Sequence, residues 1–238
     1  MCIRDSIYLA IDSERAKTDI AYGKSTSEFH SLLRDLGYKV IEKKVKWYIS
    51  ESGEKISKSN ADLEMAVDVL LQSEKLDRVA LVTGDGDFVQ VVKSLQNRGC
   101  QVEIIGVKNV SSNLRKEADQ FFSGYLIPNL IPTNQVSVED IPWGVVGSRV
   151  RGVCFKYLHD KGYGFMRFLK KIDPKLWLID TRNPESPYEA VFFHESFLGD
   201  TGIKLPSLPN RDIIFEFELA EDDKRKLRAS NIEVTYQY

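Results

Sequence analysis

The first half of the chain carries short apolar runs separated by helix-spaced polar segments, and the second half carries alternating ones. Ile7 to Ile11 (IYLAI) is a short apolar run and predicts a buried strand. Phe29, Leu32, Leu33 and Leu36 recur at helical spacing; they predict a helix opened by Ser25 or Ser27 and closed by Gly37. Lys39 to Tyr48 alternates imperfectly through Val40, Lys43, Val45 and Trp47, as a strand does. A second helix opens at Asn60 or Ala61 and turns Leu63, Val67, Leu70 and Leu71 inward. Val79 to Thr83 (VALVT) is a β-branched strand. Phe88, Val91, Val92 and Leu95 follow as a helix ended by Gly99. Val102 to Val107 is another strand, and Leu114 to Phe122 a final helix. This alternation predicts an α/β domain with a parallel sheet and right-handed crossovers.

The pattern changes at IPNLIPTNQVSVEDIPW, where Pro128, Pro132 and Pro142 break both helices and ladders. Residues 127–146 therefore read as a linker, partly packed on a neighbouring surface. They divide an α/β domain over 7–126 from a strand-rich domain over 147–238.

Composition adds limits. The 238 residues are 42% hydrophobic and 29% charged, enough for a real core. The net charge of −2 means that a nucleic-acid partner has to be argued from a local surface. No apolar run reaches the roughly 18 residues of a membrane span. The opening residues lack a signal-peptide pattern. Cys2, Cys100 and Cys154 are scattered and odd in number, which argues against a disulfide framework or structural zinc and fits a reducing cytoplasm.

Two stretches carry chemistry. The first is Thr83-Gly84-Asp85-Gly86-Asp87-Phe88, between a strand and a helix. In parallel sheets this end of a strand is where ligands gather. Glycines permit the turn and a close approach, and carboxylate oxygens suit hard cations. The plainer alternative is that Asp85 and Asp87 are turn residues, with Asp87 capping the helix at Phe88. Asp62, at the start of another helix, supplies a third acid. Asp68, six residues on, falls on a different helix face and reads as a surface or supporting residue. Glu64 and Glu117 read as solvated helix charges. His30, His159 and His194 form no triad signature.

The second stretch is Lys161-Gly162-Tyr163-Gly164-Phe165-Met166, with Val191-Phe192-Phe193-His194 as its counterpart. Alternation puts Tyr163 and Phe165 on one strand face, and Phe192 and His194 on one face of the other. Exposed aromatics beside a lysine form a stacking platform for unpaired bases. Met166 and Phe193 point the other way and read as barrel core.

The segments ADLEMAVDVLL, RVALVTGDGDFVQVVKSLQNRGCQVEIIGV and SSNLRKEADQFF, in that order, resemble the NYN domain of LabA-like proteins, which is similar to PIN-domain nucleases. The resemblance spans about Ile7 to Phe122. It implies a Rossmann-like, doubly wound α/β sheet and a ribonuclease, a hydrolase of phosphodiester bonds that uses Mg²⁺ or Mn²⁺. Asp62, Asp85 and Asp87 match the family's catalytic, metal-holding positions. The implied chemistry is metal-assisted hydrolysis by an activated water. The family's opening strand, which ends in an aspartate followed by glycine and asparagine, has no match. Asp12 follows IYLAI but precedes Ser13-Glu14-Arg15, and this layout fits the family's second strand. MCIRDS resembles translated adapter sequence. The expectation is a gene fragment lacking the first strand and helix.

GVCFKY, DKGYGFM, VFFHESF, IIFEFEL and RASNIEV resemble in order a cold-shock domain, a small OB-type barrel, over about Gly147 to Tyr236. That implies single-stranded RNA held by Tyr163, Phe165, Phe192 and His194, with Tyr157 as a flank, Lys161 as a phosphate contact, and single-stranded DNA as the open alternative. Lys156 stands where the family usually has tryptophan, and Glu195 where it often has a third aromatic. The loop from Arg167 to Ala190 is long; Arg167, Lys170 and Lys171 can add phosphate contacts. The run Glu221-Asp222-Asp223 followed by Lys224-Arg225-Lys226 reads as a solvated turn. The combined expectation is a metal-dependent ribonuclease whose barrel presents the RNA. A non-catalytic RNA-binding regulator and a protein-interaction scaffold are the alternatives.

Overall fold

The structure is a computed structural model, and it describes residues 5–49, 55–58, 61–134, 141–199, 201–222 and 225–238. Cys2, Asn60, Asp223 and Lys224 lie outside the described residues. The chain divides into two compact units, Met1–Val79 with Asp87–Val102, and Ala80–Gly86 with Glu103–Tyr238. The division runs through the α/β part of the chain, and the second unit holds residues 103–126 together with the barrel.

In the first unit, β1 (Ser6–Ile11) pairs in parallel with β2 (Lys39–Lys44), Tyr8 opposite Ile41. Two helices connect them where the periodicity predicts one. Asp12 caps α1 (Ser13–Thr18) by accepting the Glu14 and Arg15 N–H bonds. Asp19 caps α2 (Ile20–Asp35) by accepting from Tyr22. The helix thus opens several residues before Ser25. SERAKT has no apolar period, so only its caps mark it. The predicted strand over 39–48 is broken at Val45, and β3 (Lys46–Ile49) forms an antiparallel pair with β4 (Lys55–Lys58).

Helix α3 (Ala61–Gln72) is tied to both parallel strands by Asp68, whose carboxylate accepts from Tyr8 Oη at 3.0 Å and Lys39 Nζ at 2.8 Å. Asp68 is thereby a structural anchor. Leu63, Val67 and Leu71, predicted to face inward, are exposed, and so are Phe29, Leu32 and Leu36 of α2. Periodicity identifies an apolar stripe but says nothing about what covers it.

Strand β5 (Arg78–Val82), β6 (Gln101–Gly106) and β7 (Gln120–Ser123) form a sheet in that order, and α4 (Val89–Asn97) lies between the first two in sequence. The final helix is shorter than predicted: α5 (Ser112–Glu117) stops at Ala118, whose backbone is extended. Phe121 and Phe122 then belong to β7, parallel to β6.

The C-terminal strands β8 (Arg149–Leu158), β9 (Tyr163–Leu169), β10 (Tyr188–His194), β11 (Asn210–Glu221) and β12 (Leu227–Gln237) close into a barrel in the order β10-β12-β11-β8-β9. Its core is Val150, Met166, Phe168, Val191, Phe193, Phe215, Phe217 and Leu219, all at 0% exposure. Each such side chain contributes about 1.5–3 kcal/mol relative to exposure. Gly164 is required by packing: a Cβ there would sit 2.6 Å from the Lys156 carbonyl oxygen and 2.7 Å from the Phe193 ring.

The proline-rich segment is held to the barrel where it is described. Arg151 donates to the carbonyls of Ile131 at 3.0 Å and Pro132 at 2.6 Å. The Asn134 N–H donates to Glu216 Oε1 at 2.8 Å. Trp143 Nε1 donates to the Leu169 carbonyl at 2.7 Å.

Burial pushes the Tyr157, Tyr188 and Tyr238 phenols up to about 12, and for Tyr157 the neighbouring Glu195 carboxylate adds to the effect. Their unfolded value is near 10, so the folded state holds these protons more tightly. The stability they contribute is complete below pH 10 and is lost as pH rises through 12. Urea unfolding from pH 9 to 12 should show that decline, and Tyr188→Phe should make it shallower.

Candidate functional site

The glycine-aspartate turn is built against the chain's own loop. After β5, the Gly84 carbonyl accepts the Ser111 N–H at 2.9 Å, and the Asp85 N–H donates to Thr83 Oγ1 at 3.2 Å. A Cβ on Gly84 would lie 3.3 Å from Val110 Cα, and one on Gly86 would lie 2.9 Å from Ser111 Oγ. The glycines therefore admit residues 108–111 rather than an open ligand space. Asn109, with φ of 53°, turns that loop, and Ser111 then caps α5. Asp87 sits in a 3-10 turn, Gly86–Phe88, and α4 begins after Phe88 with no side-chain cap.

Asp62, in the first turn of α3, and Asp85 and Asp87 are all exposed. Among the described residues, no group of three His, Cys, Asp or Glu side chains is placed to hold a metal ion. The implied cation therefore does not fit a ready-made three-carboxylate set here, and no hydrolytic step follows from the geometry. Asp12, the acid that follows the IYLAI strand, is engaged as a helix cap. The Arg15 backbone hydrogen bond is the main cause of its lowered pKa.

The barrel assembles its aromatic residues. Strands β9 and β10 run antiparallel with Tyr163 opposite His194 and Phe165 opposite Phe192. The Tyr163 and Phe192 ring centroids are 5.5 Å apart, Phe165 and Phe192 6.1 Å, and Tyr163 and Phe165 6.2 Å. Phe192 is 36% exposed, whereas Met166 and Phe193 are fully buried, as the alternation predicts. On the neighbouring strands Lys156 stands opposite Phe165, and Arg228 stands beside Phe192. One row thus reads Lys156, Phe165, Phe192, Arg228, with cations at both ends. Lys161 is exposed in the 3-10 turn before Gly162, whose φ is 63°.

Tyr157, expected as a flank of this face, lies elsewhere. It is 8% exposed, its ring stacks on Phe193 at 6.0 Å, and its hydroxyl donates to Glu195 Oε2 at 2.6 Å. The register turns it into the barrel, where Glu195 satisfies the phenol. Arg228 is the residue that sequence reading missed. Its guanidinium carbon lies 5.9 Å from the Phe197 centroid, and its register partner Phe192 is distant in sequence.

Cys100 and Cys154 are buried free thiols, and burial pushes the Cys154 thiol up to about 11. Among the described residues, no helix is long and apolar enough to cross a membrane.

Residues 3–129 match the NYN domain. Over 96 residues the chain is 27% identical to the low amplitude and bright protein LabA of Synechococcus elongatus, covering 39% of this chain and 52% of that protein. Over 68 residues it is 38% identical to an uncharacterised protein of Methanocaldococcus jannaschii, covering 27% of this chain and 28% of that one. The chain therefore spans about half or less of the curated relatives it matches. A solved protein of unknown function from Vibrio parahaemolyticus aligns at 32% identity over 42% of this chain and 60% of its own, with a TM-score of 0.33. With more than half of its length matched, the chain belongs to the NYN domain family, a PIN-related nuclease family.

Proposed function

We propose that this chain binds single-stranded RNA on the outer face of its barrel, as a cold-shock-like module of OB type joined to an NYN domain. The row Lys156, Phe165, Phe192, Arg228 carries this reading. Two adjacent rings offer π-faces to successive unpaired bases, and flanking cations meet the phosphates. Duplexes keep their bases stacked inside and gain less from such a face. Lys161 and His194 extend the same face beside Tyr163. The proposed setting is the cytoplasm, where Cys100 and Cys154 stay reduced.

NYN nuclease domains generally use divalent metal ions. In this chain the described carboxylates form no three-ligand set, so binding, with a regulatory role, is the function the geometry supports best. A second reading, Mg²⁺- or Mn²⁺-dependent cleavage of single-stranded RNA, is favoured by Asp85 and Asp87 standing exposed on one turn at the end of β5. It requires Asp62 or another acid to join them.

The test is titration of the full chain with a labelled single-stranded RNA, followed by fluorescence quenching and by gel, with Mn²⁺, Mg²⁺ or chelator. Salt-sensitive binding with intact RNA is the expected result. Metal-dependent cleavage that Asp85→Asn abolishes would establish the second reading. An absence of binding at low salt would overturn both.

A further inference from the structure

A cavity of about 270 Å³ in the second unit is lined by none of Tyr163, Phe165, Phe192 and His194. Its walls come from β7, from the outside of the barrel and from the long segment between β9 and β10 that the sequence singled out. Arg167 and Arg211 both line it. Among the described residues, neither has a carboxylate within ion-pair distance. Arg167 donates to the Ile179 carbonyl at 3.2 Å and is flanked by rings, its guanidinium carbon 5.3 Å from the Tyr188 centroid and 5.7 Å from that of Phe155. Burial and the like charge of Arg211 lower the Arg167 pKa. Two guanidiniums that repel one another across a cavity form a ready anion site, because a shared anion turns the repulsion into two charge-assisted hydrogen bonds.

The rest of the wall defines the body of the ligand. Leu176 and Ile179, from the long segment, give it an apolar side, and Tyr188 is fixed there by donating to the Leu176 carbonyl at 3.0 Å. Gln120 also lines the cavity, and among the described residues its buried Oε1 has no hydrogen-bond partner. An unsatisfied buried acceptor costs free energy that a ligand donor recovers. Anion site, apolar and aromatic wall, and one waiting acceptor describe a small phosphorylated molecule with a ring that bears an amino group. The volume is near the lower end for ligand pockets.

We propose that this cavity binds a mononucleotide, with the phosphate between Arg167 and Arg211 and the base against Leu176, Ile179 and Gln120. The same chemistry is offered by a free nucleotide and by the phosphorylated end of an RNA.

Calorimetric titration of the full chain with adenosine monophosphate, adenosine and inorganic phosphate tests it. The expected result is saturable binding of the nucleotide, with adenosine and phosphate each at least about tenfold weaker. Arg211 is exposed, so Arg211→Ala should keep the melting temperature while weakening the nucleotide by about tenfold or more. Arg211→Lys should recover part of the loss. Phe165→Ala with Phe192→Ala should leave nucleotide binding unchanged even where it abolishes RNA binding, which separates this site from the barrel face. Competition by 5′-phosphorylated but not 5′-hydroxyl RNA identifies the RNA end as the source, and absence of competition identifies a free nucleotide. No binding at millimolar nucleotide, an unaltered Arg211→Ala, or loss in the Phe165/Phe192 variant would overturn the proposal.

Discussion

Single-stranded RNA should bind at least about thirtyfold more weakly when Phe165 and Phe192 are both replaced by alanine. The two rings are register partners on adjacent strands, with centroids 6.1 Å apart. Each base stacked on an aromatic ring is worth about 1–3 kcal/mol, and about 1.4 kcal/mol is tenfold in affinity. Losing two stacks therefore costs about 2 kcal/mol at the least. Both side chains point away from the core that Met166, Val191 and Phe193 fill, so the melting temperature should move little. Phe193→Ala is the contrasting variant: it empties core volume and should lower the melting temperature by the large-to-small mechanism. Unchanged RNA affinity in the double variant, with an intact fold, would remove the barrel face from the function.

The barrel was legible because a strand has a period of two. Tyr163, Phe165, Phe192 and His194 could be separated from Met166 and Phe193 by counting alone. Tyr157 could not, since nothing in GVCFKY shows that Glu195, 38 positions later, will accept its hydroxyl hydrogen bond. In the α/β part, element type was readable where apolar residues repeat, as in α4 and β6. It failed where side-chain caps define the element, as Asp12 and Asp19 do for α1 and α2. It failed again at Phe121 and Phe122, where a short apolar run continued a helical pattern but pairs with β6 instead. The acidic signature was legible as a turn between β5 and α4. Its glycines suggest space for a ligand, whereas they admit residues 108–111. That distinction depends on a loop more than twenty residues away, which no local pattern contains.

The largest loss of stability is expected from Glu216→Leu. Glu216 is fully buried and accepts from Arg149 Nε at 3.0 Å, Arg151 Nε at 2.8 Å and the Asn134 N–H at 2.8 Å. The Arg149 and Arg151 side chains are 11% and 3% exposed. Removing the carboxylate leaves like charges facing each other away from water, and breaking a buried pair from one side costs about 3–5 kcal/mol. Arg149 keeps a 3.4 Å contact with the more exposed Glu233, so the heavier burden falls on Arg151. Arg151 also holds the Ile131 and Pro132 carbonyls, and its displacement would release the proline-rich segment from the barrel. Urea unfolding should therefore show a lower midpoint for Glu216→Leu, and limited proteolysis should cut near residue 134 faster. Arg151→Met added to Glu216→Leu should regain part of the midpoint, because an apolar pair of similar volume carries no stranded charge. The proteolytic sensitivity should persist in that double variant, since the carbonyls remain without their donor. A Glu216→Leu midpoint equal to the parent chain would mean that solvent reaches these arginines, and the ion pair would then be no anchor for the segment.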